Sequence, residues 1–185
     1  KGERTTVTIG NDNVIREHVT IHRGTVQDRG DTYVGNNNLI MCYVHIGHDS
    51  IVKNHTILVN NTALAGHVVV DDWVILSGYT LVHQFCKIGA HSFSGMGTAI
   101  GKDVPAYVTV SGSPAEARTI NTEGLRRRGF SDASLSDLRR AFKLIYRQGL
   151  TLDIAIERLE EMAADRPEIT PLLESLKLSE RGIVR

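Results

Sequence analysis

Aromatic residues make up only 5% of this 185-residue chain, with 4 Pro and 2 Cys. So few rings are a thin supply for a β-sandwich core. Cys42 and Cys86 match no disulfide or zinc spacing and read as reduced packing residues. No apolar run reaches the roughly 18 residues of a membrane span, and there is no signal-peptide pattern. Charge of neither sign is in excess: Lys plus Arg is 21 and Asp plus Glu is 21. The total therefore gives no sign of a basic nucleic-acid binder or an acidic tail. What the chain does hold is 17 Gly, 8 His and 41% hydrophobic residues, enough to bury a core.

A period of six runs through the first hundred residues. Reading from Val34 gives Ile40, Ile46, Val52, Leu58, Leu64, Val70, Leu76, Val82, Ile88, Ser94 and Ile100, all aliphatic except Ser94. The same phase occurs earlier at Ile9, Ile15 and Ile21. The gap from Ile21 to Val34 is thirteen, which reads as two hexads with one residue inserted in the loop Arg23–Thr32. Six fits neither a helix nor an alternating hairpin. It fits short strands joined by tight corners, each strand pointing one aliphatic side chain inward. Three strands make a triangular coil of eighteen residues, and about five coils are expected to stack in parallel. Gly35, Gly47, Ala65, Gly89, Gly95 and Gly101, each following an inward residue, suit the corners. The repeat is already running by Val7, and a bare first coil would expose a strand edge, so further coils are expected ahead of Lys1.

The expected architecture is mainly β: a parallel β-helix over 1–102, an extended connector over 103–119 and a C-terminal α-helical domain over 120–185. Asp103-Val104-Pro105 and Gly112-Ser113-Pro114 mark the connector. Ser131 caps a helix carrying Leu135, Leu138, Phe142 and Ile145, with Gly149 at its end. Thr151 caps a second, stopped near Pro167, and Thr170-Pro171 opens a third.

Residues eighteen apart share a column. His48, Gly66 and Gln84 form one, Asp49, His67 and Phe85 the next, and Gly47, Ala65 and His83 the one before. One edge thus gathers four ionisable groups within roughly 10 Å. A second edge, one third of a turn away, is expected to carry His22 near Cys42, Asn60, Gly78 and Met96. A lone His at such a corner is more often merely solvated, and a lone Asp there bonds its own turn. Stacking them together favours chemistry: His suits general base work, a carboxylate fixes its tautomer, and the Gly66 N–H suits an oxyanion. In a trimer of prisms, a cleft between subunits would combine two different edges.

Five strings carry a resemblance: Ile-Arg-Glu-His-Val-Thr-Ile-His-Arg-Gly-Thr at 15–25, His-Ile-Gly-His-Asp at 45–49, Leu-Ala-Gly-His-Val at 64–68, Val-His-Gln-Phe-Cys at 82–86 and Asn-Thr-Glu-Gly-Leu-Arg-Arg-Arg-Gly-Phe at 121–130. Together they resemble the acyl-(acyl-carrier-protein)–UDP-N-acetylglucosamine O-acyltransferases of lipid A biosynthesis, along essentially the whole chain. The resemblance implies a left-handed β-helix, a homotrimer, a cytoplasmic enzyme of a Gram-negative bacterium, and transfer of an (R)-3-hydroxyacyl group from acyl carrier protein to the 3-hydroxyl of UDP-N-acetylglucosamine. It implies that His48 is the general base, Asp49 its orienting acid and the Gly66 N–H the oxyanion donor. It implies further that His45, His67, His83 and Gln84 line the sugar and acyl site, that His22 lies near the nucleotide sugar on the partner face, and that Asn121, Glu123, Arg127 and Arg128 bind the nucleotide. Met96 matches the position that ends the acyl pocket, roughly 13 Å along the axis from His48, which suits a 3-hydroxydecanoyl chain of about ten carbons.

No metal, redox cofactor or covalent enzyme intermediate is called for, and no nucleic acid or membrane span is expected. Arg and Lys outnumber acids from Arg126 to Lys143, which offers a dock for the acidic carrier protein. Three other readings stand beside this one: the related N-acyltransferase acting on a glucosamine amine, a zinc site using His18, His22, His45, His48, His67 and His83 as in gamma-type carbonic anhydrases, and a non-catalytic binding module.

Overall fold

The computed structural model describes residues 2–185; Lys1, at the start of the expected prism, lies outside the described residues. Short strands from Thr6–Ile9 to Ala99–Ile100 wind into three parallel sheets, each five strands deep through the prism. The first sheet holds Thr6–Ile9, Asp31–Val34, Ile51–Val52, Val69–Val70 and Lys87–Ile88. The second runs through Val14–Ile15, Leu39–Ile40, Ile57–Leu58, Ile75–Leu76 and Phe93–Ser94, and the third through Thr20–Ile21, His45–Ile46, Ala63–Leu64, Leu81–Val82 and Ala99–Ile100. Val52 pairs with Val70 and Val70 with Ile88, a spacing of eighteen.

The aliphatic column is the core: Val34, Ile46, Leu58, Leu64 and Val70 are each 0% exposed. Ser94 is tolerated among them because its Oγ accepts from the Ser77 N–H at 3.0 Å and pairs with Thr80 Oγ1 at 2.7 Å. A buried hydroxyl so satisfied costs little.

The corners differ from expectation. The backbone enters the left-handed region three residues after each inward side chain, at Asn37, Tyr43, Asp49, His55, Asn61, His67, Trp73, Tyr79, Phe85 and His91, with φ between +57° and +65°. In that series only Gly97 is glycine. Each non-Gly residue there costs about 1–2 kcal/mol. Two interactions offset it. The corner N–H donates to a carbonyl one coil below, as from His67 to His48 at 2.9 Å and from Trp73 to Asn54 at 3.0 Å. Rings also stack up the edges, with His55 on Trp73 at 4.1 Å and His67 on Phe85 at 4.4 Å. Gly35, Gly47 and Gly89, which follow inward residues, serve close approach instead. A Cβ on Gly89 would lie 2.4 Å from the Ala106 nitrogen, and one on Gly47 2.6 Å from the Ala65 carbonyl carbon.

Two further expectations are corrected. Ile9 pairs with Val34 while Val34 pairs with Val52, spacings of 25 and 18, so seven residues are inserted after Ile21, not one. A gap of thirteen is two hexads plus one or one hexad plus seven, and only the second keeps the sheets in register. The stretch 103–119 is not a bare connector either. Val104 bridges Ile88, and Val108–Ser111 pairs in parallel with Phe93–Ser94 before Glu116–Ile120 turns back antiparallel. This level arrives sixteen residues after the last, two short of the repeat, which hid it.

Among the described residues four α-helices follow: α1 Thr122–Arg127, α2 Asp132–Tyr146, α3 Leu152–Ala163 and α4 Thr170–Lys177. Ser131 and Thr151 cap α2 and α3 through their side chains, as their sequence positions suggest. The unanticipated α1, only six residues long, is capped by Asn121. Leu125, Leu135, Leu138, Leu159 and Leu176 bury against the same continuous core as the prism. Ile183 bridges Asp103 and ties the chain's end to the coils.

If close approach rather than φ fixes the glycines, Gly89→Ala lowers unfolding free energy by more than about 1 kcal/mol. Asn61→Gly, at φ +61°, stays within about 0.5 kcal/mol of wild type. Urea unfolding of both variants measures the contrast.

Candidate active site

The edge between the third and first sheets carries the candidate site. Each time the chain leaves the third sheet, three corner residues follow the inward one. Because Ile46 pairs with Leu64, His48 lies beneath Gly66 and Gln84, and Asp49 beneath His67 and Phe85. His22 also belongs here: Ile21 pairs with Ile46, so His22 shares the column of Gly47, Ala65 and His83. The expected placement of His22 on the second edge is thus corrected, and the miscounted insertion was its cause. Its ring meets His45 edge-on at 4.9 Å. His45 leaves the outer face of the third sheet, with Nδ1 2.8 Å from Thr20 Oγ1. Burial, and then the charge of His22, hold His45 below its ordinary pKa.

Asp49 anchors the arrangement. Its side chain is wholly buried, and Oδ2 accepts from His48 Nδ1 at 2.8 Å. Thr25 donates twice more, from its N–H to Oδ1 at 2.9 Å and from Oγ1 to Oδ2 at 2.7 Å. Burial alone would raise this carboxyl, but the Thr25 and His48 hydrogen bonds and the nearby His67 outweigh it and hold the pKa low. An ionised Asp49 orients His48 with Nδ1 inward, which leaves Nε2 available on a ring that is 43% exposed. A Cβ on Gly66 would lie 2.7 Å from both Cε1 and Nε2 of His48, so only glycine fits above this ring. The Gly66 N–H donates to no protein group among the described residues.

His67 stacks on Phe85 and meets His48 edge-on, with centroids 4.9 Å apart. Its Nδ1 is 2.6 Å from Asp28 Oδ2. His83 and Gln84 are exposed, and His83 Nδ1 donates to the Gln84 carbonyl at 3.1 Å. Thr25 and Asp28 were missed from the sequence. Both lie on the seven-residue insertion, whose signal was the lack of an inward aliphatic at Gln27 or Asp28.

His48, Asp49 and His67 offer donor atoms within 4.8 Å of one another, the zinc-like cluster of this edge. The Asp49 oxygens are filled by Thr25 and His48, which leaves two imidazoles. A catalytic zinc takes three protein ligands.

The remaining expected residues lie elsewhere on this chain. Met96, 80% exposed, stands on the edge between the second and third sheets. The α1 segment covers the edge between the first and second. There Asn121 is spent on the fold: Nδ2 donates to the His91 carbonyl at 2.9 Å and Oδ1 accepts from the Gly124 N–H. Glu123 and Arg127 pair with each other at 3.2 Å on the surface. Arg128 lies over the Trp73 ring at 5.2 Å, donates to the Trp73 carbonyl and meets His91 Nδ1 at 3.2 Å. A single chain therefore does not bring Met96 or the arginine segment to His48.

A prism of hexapeptide coils bearing this edge and ending in a helical domain places the chain among the hexapeptide-repeat acyltransferases. Residues 103–184 match the family model for UDP N-acetylglucosamine O-acyltransferase, domain 2. The acyl-(acyl-carrier-protein)–UDP-N-acetylglucosamine O-acyltransferase of Ectopseudomonas mendocina is 68% identical over 185 residues, which is 100% of this chain and 72% of that protein. The crystal structure of the UDP-N-acetylglucosamine acyltransferase of Francisella novicida superposes with TM-score 0.98 at 45% identity, over 100% of this chain and 68% of that one. The Campylobacter jejuni UDP-N-acetylglucosamine acyltransferase gives TM-score 0.90 at 34% identity, over 100% of this chain and 73% of that one. The chain belongs to the acyl-(acyl-carrier-protein)–UDP-N-acetylglucosamine O-acyltransferase family. Among the described residues no helix is long and apolar enough to cross a membrane.

His91 yields a pH test. Burial, and secondarily Arg128, push its pKa down to about 4, with Asp72 opposing. A histidine held neutral in the fold must charge on acidification. Its contribution to stability is full above pH 6.5 and is lost as pH falls from there to about 4. Tm should fall across that window, and His91→Phe, which keeps a ring between Trp73 and Tyr107, should flatten the slope in a melting series.

Proposed function

We propose that this chain transfers an (R)-3-hydroxyacyl group from the thioester of acyl carrier protein to the 3-hydroxyl of UDP-N-acetylglucosamine, with His48 as general base. The observation that carries this reading is the buried Asp49 carboxylate fixing His48 Nδ1 at 2.8 Å beneath the unengaged Gly66 N–H. His48 Nε2 takes the proton of the sugar hydroxyl as its oxygen attacks the thioester carbonyl. The tetrahedral oxyanion accepts from the Gly66 N–H. Collapse breaks the C–S bond, and the imidazolium returns its proton to the departing thiolate. The balance needs no metal and no acyl-enzyme.

His22, His45, His67, His83 and Gln84 border the same edge and line the sugar and acyl groups in this reading. Asn121, Glu123, Arg127, Arg128 and Met96 enter through a neighbouring copy, because they stand on other edges of the prism. A homotrimer is supported by the exposed apolar strip Tyr43, Tyr79, Leu81 and Met96, exposed by 56%, 61%, 55% and 80%. With Asn121 spent on its cap and Arg128 held by Trp73 and His91, Arg127, paired only with Glu123 at the surface, is the more available of the two expected arginines for a diphosphate. Arg139 and Lys143 border a groove with Phe142 and Arg147 that suits an acidic carrier protein. The carrier-borne donor agrees with a cytoplasmic reaction.

Incubation with UDP-N-acetylglucosamine and mixed 3-hydroxyacyl carrier proteins should give the acylated nucleotide sugar by mass spectrometry. His48→Ala should give at least about a hundredfold less. Equal product from both proteins would remove His48 as base. In the same mixture Met96→Gly should move the dominant product from 3-hydroxydecanoyl to longer chains; an unchanged length distribution would make Met96 a packing residue only.

A further inference from the structure

The inserted loop does more than close a gap in the coils. It carries Thr25 to Asp49, and three residues on it carries Asp28 to His67. The edge therefore holds two carboxylate–imidazole pairs side by side, Asp49–His48 at 2.8 Å and Asp28–His67 at 2.6 Å. Their rings meet edge-on at 4.9 Å. His67 is otherwise held by Phe85, on which it stacks at 4.4 Å, and its side chain is 17% exposed.

We infer that Asp28 is a positioning residue for substrate, acting through His67. A carboxylate only accepts hydrogen bonds, so it selects the His67 tautomer with the proton on Nδ1. Nε2 is then a lone-pair acceptor. The ring plane is fixed by Phe85 and by the Asp28 bond together, so the direction of that lone pair is fixed as well. An imidazole acceptor needs an O–H or N–H donor, and a sugar nucleotide supplies several hydroxyls where the 3-hydroxyacyl chain supplies one. Without Asp28 the two neutral tautomers exchange and Nε2 spends part of its time as a donor. The groups facing His67 are Asp28 from the loop, His48 and Asp49 from the coil below, and the apolar Phe85 from the coil above. Asp28 is therefore the one formal charge in hydrogen-bonding contact with this ring.

The inference rests on the acyl-transfer reading above, and the test separates the two. The full chain with ¹⁵N-labelled histidine is compared with Asp28→Ala at pH 8, with melting curves to verify that both are folded. Wild-type His67 should show a protonated Nδ1 and an unprotonated Nε2, and Asp28→Ala a mixture of tautomers. Steady-state kinetics should show a KM for UDP-N-acetylglucosamine raised roughly tenfold, at the low end of what an orienting partner of a histidine contributes. The KM for the carrier-protein donor should stay within about twofold. Identical nitrogen shifts in the two proteins, or equal changes in both KM values, would overturn the assignment of Asp28. No acylated product from folded wild type would instead remove the reaction, and the inference with it, whereas wild-type activity with unaltered Asp28→Ala kinetics would remove the inference alone.

Discussion

Everything in this molecule depends on one spacing, the single inward aliphatic side chain every six residues. From Val34 to Val82 each inward residue is covered by the one eighteen positions on, so the core is continuous and has no room for a shift of register. A slip of one residue would turn the whole column out to solvent. That constraint dictates the corners. Six residues leave too few for an ordinary turn, so the chain crosses the left-handed region at every edge. The strain is offset by hydrogen bonds to the coil below and, where rings follow one another as at His55 and Trp73, by stacking, so a corner depends on its neighbouring coil. Cooperation between coils, rather than turn propensity, holds the edges.

The columns were legible in the sequence because that spacing is so regular. His48, Asp49, Gly66, His67, His83 and Gln84 fall on one edge by arithmetic alone, and the structure places them there. What was not legible lies where the arithmetic breaks. Ile21 to Val34 could be divided two ways, and the wrong division moved His22 to another edge. The level at Val108–Ser111 arrives two residues early and passes for a connector. The corner residues were misassigned because glycine is the usual left-handed residue, whereas here Asn, Asp, His and aromatic residues take the role and stack. Thr25 and Asp28 sit in a stretch without periodicity, where sequence spacing says nothing about which side chain reaches which. Asn121 shows the converse: a family string marks it, yet its side chain is consumed by the cap of α1 and the His91 carbonyl.

The break in the repeat and the buried charge explain each other. A carboxylate removed from water costs several kcal/mol unless its oxygens are filled. Within the regular corner only His48 donates to Asp49, for His67, the residue above in its column, turns its Nδ1 to Asp28 on the loop. The insertion supplies the rest through Thr25. Without the loop, Asp49 would be under-satisfied and would be stabilised by taking up a proton, and a neutral carboxyl orients an imidazole less strongly. Seven extra residues thus convert a repeating corner into an ionised, oriented pair.

The division of labour follows from stiffness. His48 and Gly66 come from adjacent coils whose spacing is set by backbone hydrogen bonds, so the distance from base to N–H cannot relax with the side chains. In the proposed reaction the transition state would meet dipoles already in place. A convex prism edge, however, encloses nothing, and acyl transfer needs water kept from the thioester. Exposed Tyr43, Tyr79, Leu81 and Met96 form the kind of apolar strip that could wall such an edge when presented by a second copy. In the proposed reaction one chain would supply the chemistry, and a second copy the dry cleft in which that chemistry is selective.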